Sequence, residues 1–197
     1  CERDKIATQR GQQADQTPTS EECPVLINCV AYGKGKRISE IPVEDISEYI
    51  VKPDCFVWVA LRDPSPGELD QMQEEFGLHE LAVEDARHGH QRPKIEGYDD
   101  SLFAVLHLLD YEKGELHKGE VSIFVGKNYV LSVRKQSEQS FHAVRERCER
   151  DAPLLKQGAG FVFYALMDTV VDRYFPIIDA MESELEEIEG RIFAKDG

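Results

Sequence analysis

"SLFAVLHLLDYEKGELHKGEVSIFVGKNYVLSVRK", residues 101–135, holds three apolar-rich runs broken at two glycine-bearing joints. Short runs rich in Val, Ile, Leu, Phe and Tyr between turn signals mark strands. "SLFAVLHLLDY", "EVSIFV" and "YVLSVRK" therefore read as an antiparallel meander, joined through "EKGELHKG" (112–119) and the tight "GKN" (126–128).

Upstream of the meander, helices and strands alternate. "VLINCVAY" (25–32) and "FVWVAL" (56–61) have strand composition and flank a short helix at "VEDISEYI" (43–50). "SPGELDQMQEEFG" (65–77) opens with Ser65 at the N-cap, Pro66 at the first helical position and Glu68 three residues after the cap, and it closes on Gly77. "HELAVEDARHG" predicts a second helix, because Leu78, Leu81, Ala82 and Asp85 recur at i, i+3, i+4 and i+7. That spacing sets the Asp85 carboxylate in line with an apolar stripe.

Downstream, helical signals return in "SEQSFHAVRERCER", and one long helix runs from about residue 159. Its apolar line is Val170, Tyr174, Ile177, Met181, Leu185, Ile188 and Ile192, at coiled-coil-like spacings of 3 and 4, with Pro176 as a potential kink. Sequential strands followed by a long terminal helix favour a mixed α/β architecture over a doubly wound parallel sheet. There is no internal repeat and no Gly-rich phosphate loop.

Composition narrows the function. The 197 residues fit one main domain, and 38 acids against 23 bases give a net charge of −15, which repels nucleic acid and concentrates cations. The five cysteines are widely spaced without a C-x-x-C pair, which argues against a disulfide framework or a zinc knuckle and suits a reducing, cytosolic environment. No apolar run approaches the ~20 residues that cross a bilayer, and the N-terminus has no signal pattern. Residues 1–22 are polar and aperiodic, the composition of a disordered tail. The chain begins without Met and ends inside a helical pattern, as a piece of something longer would.

Two acidic groups stand out. Asp168, Asp172, Asp179, Glu182 and Glu186 form a carboxylate column on the long helix, where nine acids face only Arg173, Arg191 and Lys195 between residues 159 and 197. A divalent cation such as Mg2+ would neutralise such a column, although a solvated helix face has the same pattern. Glu84 and Asp85 sit beside Arg87, Arg92 and Lys94; a carboxylate on an apolar face needs a cation, a basic partner or a proton. As an acid and base pair for a metal-dependent hydrolase they are poorly placed, because adjacent helical residues point about 100° apart. His88 and His90 lack the spacing for co-ligation on a helix and suit capping or structural roles.

"HELAVEDARHGHQRPKIEGYDDSLFAVLH" resembles the central motif of the CorA family of magnesium and cobalt channels, and "YALMDTVVDRYFPIIDAMESELEEIE" resembles the start of that family's long stalk helix. The resemblance runs from about residue 25 to 197. It implies an α/β/α domain, a mixed sheet between helical layers at 23–155, followed by a long C-terminal stalk helix at 156–197 that stops before the transmembrane part. It also implies a non-enzymatic role: the cytoplasmic divalent-cation-sensing domain of a pentameric inner-membrane channel for Mg2+ and Co2+, anchored through membrane helices beyond this chain. Metal would bind between subunits at Asp85, with Glu84 beside it, and at Asp172. A further stalk acid would lie beyond Gly197. The zinc-transporting branch shares the fold but usually lacks the intact Glu-Asp and His-Gln-Arg-Pro-Lys run, so the resemblance favours magnesium and cobalt.

Overall fold

The structure, a computed structural model, describes residues 26–194; the tail expected at 1–22 lies outside them. Seven strands form one mixed sheet: β1 (Leu26–Gly33), β2 (Lys36–Glu40), β3 (Cys55–Arg62), β4 (Lys94–Tyr98), β5 (Ser101–Glu112), β6 (Glu115–Gly126) and β7 (Tyr129–Lys135). Their order is β2-β1-β3-β7-β6-β5-β4. Every neighbouring pair is antiparallel except β3 and β7, whose parallel pairing requires a long crossover between them.

That crossover carries α2 (Pro66–Phe76) and α3 (Glu80–His88), which with the short α1 (Ile46–Ile50) cover one face. The other face is covered by α4 (His142–Arg150), α5 (Ala152–Leu155) and α6 (Ala159–Asp172), and α7 (Tyr174–Ala194) continues beyond it. The strands divide their side chains strictly by period two. Val57, Val59 and Leu61 of β3 join the first core, while Phe56 and Trp58 join the second; β1 splits Cys29 and Ala31 from Val30 and Tyr32 in the same way. Because both faces are covered, the central strands are apolar at nearly every position. The mixed sheet between two helical layers is the expected α/β/α fold with a long C-terminal helix.

Helix α2 is capped as its sequence predicts. Ser65 Oγ accepts from the Glu68 amide, Glu68 Oε2 accepts from the Ser65 amide at 2.8 Å, and Gly77 takes the left-handed conformation at the C-cap, φ +63°.

Other expectations are corrected. The β5–β6 connection is only Lys113-Gly114, both at positive φ, and residues 115–119, read as loop, extend β6. Their polarity reflects a ladder that continues past the covered core into solvent, closed by a primed two-residue turn. The edge strands β2 and β4 and the short α5 escape sequence reading, being brief and polar or Pro-bearing. Helix α4 starts at His142, five residues into its helical-looking segment. The long terminal helix forms as expected and kinks at Arg173, as Pro176 suggests, into α6 and α7: Pro176 has no amide hydrogen for the Asp172 carbonyl and its ring crowds that turn. Arg173 is held by Gln139 Oε1 at 2.9 Å and the Ser140 carbonyl at 2.8 Å.

Along α6, Val162, Ala165, Leu166 and Val170 are buried in the second core. Along α7, Met181, Leu185, Ile188 and Ile192 are all exposed, so the apolar line leaves the domain after its first turns.

Candidate metal site

Helix α3 and the loop after it build the region around Glu84 and Asp85. His79 caps the helix, its Nδ1 accepting from the Leu81 amide at 3.3 Å while its ring stacks on Tyr98 at 4.3 Å between centroids. His88 closes the other end by donating from Nδ1 to the Glu84 carbonyl at 2.9 Å, the capping role its spacing suggests. Small side chains let the helix approach the sheet closely: Ala82, Val83 and Ala86 are buried with Leu78. The inward face is therefore rotated from the Leu78, Leu81, Ala82, Asp85 stripe. Leu81 is 55 % exposed, and Asp85 sits at the boundary, its side chain 26 % exposed.

At that boundary Asp85 finds a basic partner. Lys94, the first residue of β4, donates to Asp85 Oδ2 at 2.7 Å and to Glu96 Oε2 at 2.8 Å, and Tyr98 OH donates to the same Glu96 oxygen at 2.9 Å. Lys94, Glu96 and Tyr98 share one face of β4 through its period-two pleat. Hydrogen bonds to Asp85 first and Glu96 second hold the Lys94 ammonium well above the usual lysine range. Those from Lys94 and then Tyr98 hold the Glu96 carboxyl below its usual range. Glu96 and Tyr98 escape sequence reading, although their alternation with Lys94 is visible in "KIEGY".

The other acids separate. Glu84 is exposed in an open groove between α2 and α3, and Arg87 pairs with Asp70 across that groove rather than with Glu84. Asp172 is exposed at the end of α6. Since α3 packs on one face of the sheet and α6 on the other, Asp85 and Asp172 stand on opposite sides of the domain. Among the described residues, no group of three or more His, Cys, Asp or Glu side chains converges to hold a metal ion. The carboxylate column is also less bare than local counting indicates, because Arg147 of α4 reaches Asp168 Oδ2 at 3.0 Å. No described helix is long and apolar enough to cross a membrane.

A hydrogen-bonded path leads from this loop to the start of α7. Glu120, buried on β6, accepts the Gln91 amide at 2.9 Å, and its other oxygen has no partner among the described residues. The Gln91 carbonyl accepts from His107 Nε2 at 3.0 Å, and the His107 carbonyl accepts from Tyr174 OH at 2.6 Å. His107 thus touches the Asp85 side of the domain with its ring and the helical junction with its backbone.

A sheet covered by helices on both faces, with a long helix leaving one of them, defines the class: an α/β/α domain with a helical stalk. A family model described as CorA-like Mg2+ transporter protein matches residues 54–196, and the chain belongs to that family. YfjQ of Bacillus subtilis, whose name assigns it to metal ion transport, is 35% identical over 77% of this chain and 46% of its own length. The cobalt/magnesium transport protein CorA of Thermotoga maritima is 32% identical over 64% of this chain and 37% of its own length. The chain spans less than half the length of these curated relatives, both of which are named for metal ion transport. The soluble domain of CorA from Methanocaldococcus jannaschii has a similar fold, with a TM-score of 0.55 at 20% identity over 85% of this chain and 65% of that one.

Proposed function

We propose that these residues form the cytoplasmic divalent-cation-sensing part of a membrane channel for Mg2+ and Co2+, and that metal bound between neighbouring copies in a pentamer gates the pore. The observation that carries this reading is the placement of the acids. Glu84 and Asp85 lie on one face of the domain and Asp172 on the other, so a cation held by both sets joins two copies.

Lys94 supplies the competing charge. With no divalent ion bound, its ammonium neutralises Asp85; a divalent cation, with twice the charge and a preference for carboxylate oxygen, displaces it and leaves it on Glu96. Bridging removes repulsion between strongly acidic copies and favours one closed arrangement. Loss of the ion lets the copies shift, a population change driven by differential binding. The path through Gln91, His107 and Tyr174 offers a mechanical link from the Asp85 side to the helix that would lead to the membrane.

Millimolar Mg2+ at constant ionic strength tests the metal site, since a ligand of the native form raises the melting temperature by mass action. The reading expects a saturable rise; a melting curve indifferent to both Mg2+ and Co2+ contradicts it.

A further inference from the structure

On the opposite face from Asp85, β1, β3, β7 and α4 enclose a cavity of about 90 Å³, lined among others by Asn28, Trp58, Ser132, Arg134, Phe141 and Arg145. That is room for several waters or for a small tetrahedral oxyanion. Its lining is largely apolar, with Ile27, Ala60 and Phe141, but carries several donors. Trp58 is 1 % exposed, and its indole Nε1–H, which can only donate, is buried with no acceptor among the described residues. Arg134 and Arg145 are 5 % and 9 % exposed.

Among the described residues neither arginine forms an ion pair, although Glu138 and Asp63 act on Arg134, and Glu149 and Glu40 on Arg145, from farther off. Arg134 donates to the Gln139 carbonyl and Arg145 to Asn28 Oδ1. Glu149, an acid close enough to act on Arg145, accepts the Tyr32 hydroxyl at 2.7 Å instead. The Arg145 guanidinium lies over the Trp58 ring, 4.4 Å from its centre, and its in-plane N–H groups not taken by Asn28 remain able to donate. Burial pulls both arginines below their usual range. Two buried guanidinium ions and an orphaned indole N–H around one cavity are unfavourable unless something negative sits among them. Water could accept the hydrogen bonds, but the nearby carboxylates offset the charge only from beyond ion-pair distance.

We infer that this cavity binds a small inorganic oxyanion, with phosphate as its representative ligand. The planar forks of two arginines match a tetrahedral oxyanion, and the indole N–H supplies a third direction.

Trp58 is the chain's only tryptophan, so its emission reports on the cavity directly. Phosphate titrated into the whole 197-residue chain, at constant pH and ionic strength, should change that emission saturably and raise the melting temperature. Arg145→Met, which keeps bulk and removes the charge, should weaken the response by about tenfold or more. Should that variant fail to fold, Trp58→Phe removes only the N–H donor and should shrink the phosphate-induced rise in melting temperature. No response in the wild-type chain, or an equal response to chloride, overturns the proposal. So does a phosphate response unchanged in Arg145→Met or Trp58→Phe.

Discussion

Lys94 Nζ stands 2.7 Å from Asp85 Oδ2, so the carboxylate proposed to bind metal already holds a cation from its own chain. Metal and lysine compete for one oxygen, and removing the lysine should strengthen metal binding. Lys94→Met should enlarge the Mg2+-induced rise in melting temperature; a site tenfold tighter adds about 1.4 kcal/mol at saturating ion. A rise equal to or smaller than wild type's would show that Asp85 is not where Mg2+ binds.

Acid should weaken the same cluster. The Glu96 carboxyl is held below its usual range by Lys94 and then Tyr98, so the cluster's contribution is fully present above the unfolded value of about 4.3. It is lost as pH falls from there through the lowered folded value. The raised Lys94 has the opposite sense: its contribution persists through neutral pH and is lost only as strong alkali deprotonates the folded ammonium. Urea midpoints measured down the acid limb should fall less steeply for Glu96→Gln than for wild type. Parallel curves would remove Glu96 from the acid response.

Tyr174 joins the start of α7 to the sheet through one hydroxyl, 2.6 Å from the His107 carbonyl. Tyr174→Phe keeps the ring and should cost about 1 kcal/mol of stability. In the mechanism proposed, it should also loosen α7 from the α3–β4 loop. Hydrogen exchange should therefore quicken around residues 173–180 while β3 and β7 stay protected. Uniform acceleration across the sheet would mean that the bond supports the whole fold and not the junction.

The fold is legible where physics is local. The capping box at Ser65 and Glu68 and the apolar, β-branched and aromatic runs of β3, β5 and β7 act over a few residues, and each element forms where its pattern lies. The inward face of α3 is not legible from hydropathy, because close approach to the sheet selects Ala82 and Ala86 and turns the larger Leu81 outward. Nor can the partners of the acids be counted along the chain. Lys94 reaches Asp85 only after the loop at 89–93 reverses direction, and Arg147 reaches Asp168 from a different helix. The motif names Glu84 and Asp85; only the folded chain reveals that Lys94 occupies Asp85 and that the sheet separates both acids from Asp172.

Sedimentation velocity with and without millimolar Mg2+, at matched ionic strength, on wild type, Asp85→Asn and Asp172→Asn tests the bridging of copies most directly. Each substitution keeps the size of its side chain and removes one charge that the metal would neutralise. Bridging by both acids predicts that Mg2+ moves the wild-type chain to a larger species and leaves each variant alone much less assembled, while their mixture, which restores one Asp85–Asp172 site per unlike pair, assembles only in pairs. Wild type that sediments identically with and without Mg2+, or variants that assemble as wild type does, would contradict it.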